Sequence, residues 1–127
     1  MERKPPQYKP HSTGSCQEKI AAEFLQGHGL HLVESNFHSR FGEIDLILLD
    51  GETLVFAEVR FRKSSGFGSA LDSITRHKQL RIMKTARFFL TRNRRFQQSN
   101  CRFDVIAIDE SCDGKISLDW IKSAFME

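Results

Sequence analysis

Three ionisable side chains interrupt an apolar stretch that burial alone would fill with hydrocarbon. Residues 41–63 read FGEIDLILLDGETLVFAEVRFRK, and Asp45, Glu58 and Arg60 stand there among Ile47, Leu49 and Phe56. A carboxylate on an apolar surface loses hydration, and like charges facing each other across paired strands repel. A cation between the two acids relieves both penalties. Arg60 brings part of that charge. A divalent ion brings the rest, since Mg²⁺ is held by one or two carboxylates together with water and phosphate. Such a pair supports metal-assisted phosphodiester cleavage. The competing reading is a Glu–Arg surface pair on a half-exposed strand, which does no chemistry.

The element that must position these residues is a β-hairpin turning at Asp50-Gly51-Glu52, an Asp-Gly signal between two apolar runs. With Gly51-Glu52 as the two-residue loop, Asp45 faces Glu58 directly, with Cβ atoms roughly 4.5–5.5 Å apart. With Asp50-Gly51 as the loop, Asp45 faces Phe56 and Glu58 lies on the diagonal. Either even-length loop puts Asp45, Phe56, Glu58 and Arg60 on one face, because side chains alternate with period two.

Around the hairpin, residues 15–26 read as a helix with Ile20, Ala21, Phe24 and Leu25 as its apolar stripe. Glu18 has two readings. It completes a Ser15-x-x-Glu18 capping box, or it points from the stripe's edge towards the hairpin acids. Residues 30–37 read as an edge strand. His28, His31 and His38 lie in polar surroundings and read as surface residues. Glu43 shares the Asp45 face and reads as a solvated strand entry, with a peripheral ligand as the alternative. Residues 63–69 form a glycine- and serine-containing loop without P-loop spacing.

Thr75 is placed to cap a helix over residues 75–91. Gln79, Leu80, Ile82, Met83, Ala86, Phe89 and Leu90 fall on or near its apolar arc. Arg81, Lys84 and Arg87 face the other way, with Lys78 at the margin. Residues 93–100 are a polar connector, 101–109 a third apolar strand, and 116–121 a strand entered through the Asp113-Gly114 turn, with a short terminal segment after it. Trp120 reads as core or as a platform against that segment, with base stacking as the lesser alternative.

No acidic residue occurs between Asp72 and Asp104, an interval with nine Lys and Arg, although the whole chain carries only +3. Concentrated positive charge of this kind suits a polyanion. Arg62, Lys63, Arg76, Arg81, Lys84 and Arg87 are the candidate phosphate contacts; long cations grip a backbone without reading bases.

The acids fit D-x12-E-x-R, which is similar to the PD-(D/E)xK nuclease signature with Arg60 in the place of Lys. The segments GEIDLI, LVFAEVRFR, GFG and RFDVIAI resemble the YraN/UPF0102 family, relatives of archaeal Holliday-junction resolvases, from about residue 14 to 125. That resemblance implies an α/β restriction-endonuclease-like fold, a mixed sheet flanked by helices. It implies that Asp45 and Glu58, with Glu18 and the Val59 carbonyl, hold Mg²⁺ or Mn²⁺. It also implies that Lys78 matches a family lysine, that the substrate is structured or branched DNA, and that the protein works as a homodimer. Arginine stays protonated and cannot act as a general base; Arg60 can stabilise transition-state charge, with Lys63 or Lys78 compensating.

At 127 residues the chain is expected to hold a flexible arm at 1–11 and one domain at 12–127. Cys16, Cys101 and Cys112 are odd in number and scattered, against a disulfide framework or zinc site and in keeping with a reducing cytoplasm. No stretch reads as a membrane span or signal peptide. Besides a nuclease, the sequence allows a nucleic-acid-binding module that has lost its chemistry, and an adaptor whose basic helix docks an acidic protein.

Overall fold

A computed structural model describes residues 15–63 and 74–126. The expected arm at 1–11 lies outside the described residues, as does the loop at 63–69 apart from Lys63. Among the described residues the elements are α1 (Ser15–Gly27), β1 (His31–Ser39), β2 (Gly42–Asp50), β3 (Thr53–Lys63), α2 (Arg76–Arg92), a 3₁₀ turn at Arg94–Phe96, β4 (Cys101–Glu110) and β5 (Ile116–Phe125). The five strands lie in the order β1-β2-β3-β4-β5. Every neighbouring pair is antiparallel except β3 with β4. A parallel pair needs a crossover, and α2 lies in the one that joins β3 to β4. The result is an α/β mixed sheet with two helices, consistent with a restriction-endonuclease-like fold.

The central strands read as nearly unbroken apolar runs because both of their faces are covered. Leu46, Leu48, Val55, Ala57, Ile106 and Ile108 pack with Ala21, Ala22 and Leu25 of α1. Ile47, Leu54, Phe56, Phe103 and Val105 pack with Ile82, Met83, Ala86 and Phe89 of α2. Period-two alternation thus sorts one apolar run into two cores.

Thr75 caps α2, its hydroxyl accepting a hydrogen bond from the Lys78 N–H at 3.2 Å. One member of the expected apolar arc is misplaced: Leu80 is 43% exposed, because the sheet meets a narrower stripe of the helix than the wheel suggests. The last strand is also longer than its sequence indicates. It runs through Phe125, whose buried ring stacks on Phe103 at 5.1 Å. Ser123, at φ 51°, bends the strand so that its end returns to the core.

Candidate active site in a fork between two strands

β2 and β3 pair from Asp50–Thr53 to Leu46–Ala57, so the hairpin loop is Gly51-Glu52. The ladder stops one pair short of Asp45 and Glu58. Beyond it, β3 stays paired with β4 as far as Lys63–Glu110, and β2 stays paired with β1 as far as Gly42–Ser39. The sheet therefore forks, and Asp45 sits at the base of the fork. Its Oδ2 accepts a hydrogen bond from the Val59 N–H at 2.9 Å, supplying the acceptor that the ended ladder no longer provides.

The strand opposite bends at the same level. Asn36 adopts φ 53° between the pairs Ser35–Leu46 and Phe37–Ile44. Leu46 belongs to the core under α1, whereas Ile44 and Phe37 pack with the core under α2. The alternation inverts there, and Asp45 is the residue at the inversion.

The charges around Asp45 are unbalanced. It is 8% exposed. Burial first, then the Glu58 charge, push its pKa up to about 9; the Val59 N–H pulls the other way, and Glu18 pushes it further up. Glu58 is likewise raised by burial, against the lowering pull of Arg60 and then Lys78. Glu18 is 9% exposed and lies within hydrogen-bonding reach of Asp45; the side chain of Ser15, and hence the capping box, lies outside the described residues. Arg60 Nη2 stands 3.1 Å from Glu58 Oε2, but its Nε and Nη2 are buried without a hydrogen bond. Asp45 and Glu58 converge and do not splay to opposite surfaces.

Both acids line a cleft of about 370 Å³ together with His38, Ser39, Gly42, Glu43, Lys78, Arg81 and Ile82. His38 and Glu43, read from the sequence as unrelated surface residues, meet at 2.8 Å on its lip. Lys78 and Arg81 bring the basic side of α2 to it. Arg76, Lys84 and Arg87 are exposed along the same helix but do not line the cleft. The Arg76 guanidinium is turned to Gln79 Oε1 at 3.1 Å. The side chains of Arg62 and Lys63 lie outside the described residues.

Among the described residues no group of three or more His, Cys, Asp and Glu could by itself hold a metal ion. The oxygen donors present still fit a hard cation that keeps much of its water: two carboxylates, both held back from ionising by burial and Asp45 also by the Glu58 charge, beside the main chain of Val59. Mg²⁺ takes such sparse sets.

One buried acid was not singled out in the sequence. Asp104 is 0% exposed and accepts from Arg102 Nε at 2.9 Å, Trp120 Nε1 at 2.9 Å and the Ser123 N–H at 3.0 Å. Trp120 is thereby tied into the fold, its ring edge-on to Phe24 at 6.2 Å.

Comparison with known proteins extends the match over nearly the whole chain. Residues 17–108 match the family model described as uncharacterised protein family UPF0102. A UPF0102 protein of Alcanivorax borkumensis is 49% identical over 114 residues, 90% of this chain and 91% of the relative. One from Pseudomonas putida strain W619 is 45% identical over 120 residues, 94% of this chain and 98% of the relative.

Proposed function

The chain belongs to the UPF0102 family, and we propose that it is a divalent-metal-dependent endonuclease that hydrolyses phosphodiester bonds of structured or branched DNA. The observation that carries this reading is the convergence of Asp45 and Glu58 in one cleft, both with raised pKa values. A buried acid beside a half-buried one is relieved by a cationic ligand, and perturbed carboxylates in a cleft mark functional sites.

Asp45 and Glu58, with Glu18 and the Val59 carbonyl, are the residues that would hold Mg²⁺ or Mn²⁺. The bound ion would polarise a phosphoryl oxygen and lower the pKa of a water molecule. Water attacks phosphorus, one P–O ester bond breaks, and a phosphate monoester and a hydroxyl remain. The chain's own part is positioning. Lys78 and Arg81 meet the phosphate from the α2 wall. Arg60, fixed against Glu58, offers charge to the pentacovalent phosphate and takes no proton.

The test is a cleavage panel of junctions, flaps, single strands and duplexes with Mg²⁺ and with Mn²⁺, run beside Asp45→Ala. Cutting by the wild type alone is the expected result. No cutting of any structure with either ion ends the enzymatic reading. A second reading then stands, a binding module on the same scaffold, favoured by an arginine where a nuclease of this kind has lysine.

Binding has its own signature. The basic side of α2 should hold DNA through phosphate contacts, so affinity falls as salt rises. Lys84→Ala, away from the cleft, should weaken all DNA structures alike and flatten the log K against log salt slope by about 0.9, the share of one phosphate contact. An unchanged slope would remove Lys84 from the interface.

A further inference from the structure

The two-residue loop between Ser39 and Gly42 is Arg40-Phe41, at a place where Gly, Asn and Asp are the usual choices. The loop is firmly fixed. The Phe41 N–H donates to Ser39 Oγ at 3.0 Å, and Arg81 Nε donates to the Phe41 carbonyl at 3.0 Å. Gly42, at φ 149°, lies so close to α2 that a Cβ would come within 3.4 Å of Thr85 Oγ1 and 3.7 Å of the Arg81 guanidinium. Ser39, Gly42 and Arg81 also line the acidic cleft. A phenylalanine is thus held on a rigid tip next to the candidate site.

That ring does not stand alone. Phe88 of α2 lies beside it, the centroids 6.2 Å apart, and both rings are half-buried. Arg40 stands over Phe41 at 5.1 Å and Arg92 over Phe88 at 5.5 Å, both arginines exposed. Ring packing explains the buried sides of the two phenylalanines. It does not explain why each carries a solvent-facing guanidinium, or why the pair lies on the basic side of the molecule.

We propose that Arg40, Phe41, Phe88 and Arg92 form a stacking platform for an unpaired base of a DNA strand whose phosphates lead past Arg81 into the cleft. The inference rests on the nuclease reading for what happens in the cleft, and it names the substrate class: DNA with a single-stranded segment beside the scissile phosphate. Aromatic rings and guanidinium planes both stack on bases, and they do so without regard to sequence. Bases inside a duplex have their faces already covered by neighbours. Charge selects the same partner, since residues 73–103 contain no acid.

Fluorescence anisotropy in EDTA tests the platform on the full chain, with a labelled oligo-dT strand and a blunt duplex of equal length. Phe41→Leu keeps an apolar side chain against Phe88 and removes the ring face. It should weaken single-strand binding about tenfold, within the range of one stacked base, and change duplex binding less than about twofold. Arg40→Gln should do the same to a smaller extent. Equal losses on both DNAs, no loss on the single strand, or no single-strand binding by the wild type would each overturn the platform. A protein that never cuts yet shows this selectivity loses the nuclease reading and keeps the platform. A protein that cuts without it does the reverse.

Discussion

Asp45→Asn should melt at a higher temperature than the wild type and abolish the proposed cleavage of DNA. The asparagine can still accept the Val59 N–H through its carbonyl oxygen, so the fork keeps its main-chain partner. What disappears is a carboxylate that burial, Glu58 and Glu18 all disfavour. The sign follows from linkage. The folded protein holds the Asp45 proton up to about pH 9, and the unfolded chain releases it near the ordinary value of 3.8. Folding therefore binds the proton between those limits, and stability falls as pH rises through them. The contribution is complete below pH 3.8 and fully lost above about pH 9.

Thermal melts in EDTA from pH 5 to 9 should thus slope downward for the wild type and less steeply for Asp45→Asn, with Glu58 keeping part of the slope. Mn²⁺ should raise the wild-type melting temperature most at the alkaline end, where the carboxylates are most in need of a counter-charge, and leave the variant nearly unmoved. Cleavage should fall more than about a hundredfold, beyond the 10–100-fold that outer-shell changes usually cost. Parallel pH slopes for the two proteins, or wild-type cutting by the variant, would contradict the assignment of Asp45.

Asp104→Ala is expected to have the opposite effect on stability. The carboxylate is fully buried and satisfies Arg102, the Trp120 indole and the Ser123 N–H together. Removing it strands a guanidinium that is only 19% exposed and whose other carboxylate among the described residues is Asp50 at 3.0 Å. Breaking one side of a buried pair typically costs about 3–5 kcal/mol, and two neutral donors lose their acceptor as well. Urea unfolding should show a loss of that order with an unchanged m-value. A loss under about 1 kcal/mol would mean that Arg102 finds Asp50 sufficient.

The hairpin was legible because its signals are local. An Asp-Gly turn between apolar runs marks the hairpin while leaving two registers open, of which the structure takes the Gly51-Glu52 loop, and acids among Ile, Leu and Phe announce themselves by their cost. Both helices, the Thr75 cap and β4 follow from periodicity in the same way. The fork was not legible, since nothing in GEIDLI says that the ladder ends at Leu46; that depends on Asn36, in another strand, turning left-handed. Asp104 was not singled out because two of its three partners, Trp120 and the Ser123 N–H, reach it only through folding. The tail beyond residue 121 alternates weakly, with most of β5 exposed or half-buried, so its strand character comes from pairing with β4. Leu80 failed for a related reason: a wheel shows which way a side chain points, but not how wide the packed surface is.

Asp45's hold on the Val59 amide also sets how wide the mouth can open. The last closed rung, Leu46 with Ala57, is wholly interior, so unzipping it to admit a bulkier guest would expose the core under α1. The jaws are therefore stiff, and accommodation falls to whatever enters them. For a polyanion, that favours chains that bend or part readily over rods that resist deformation.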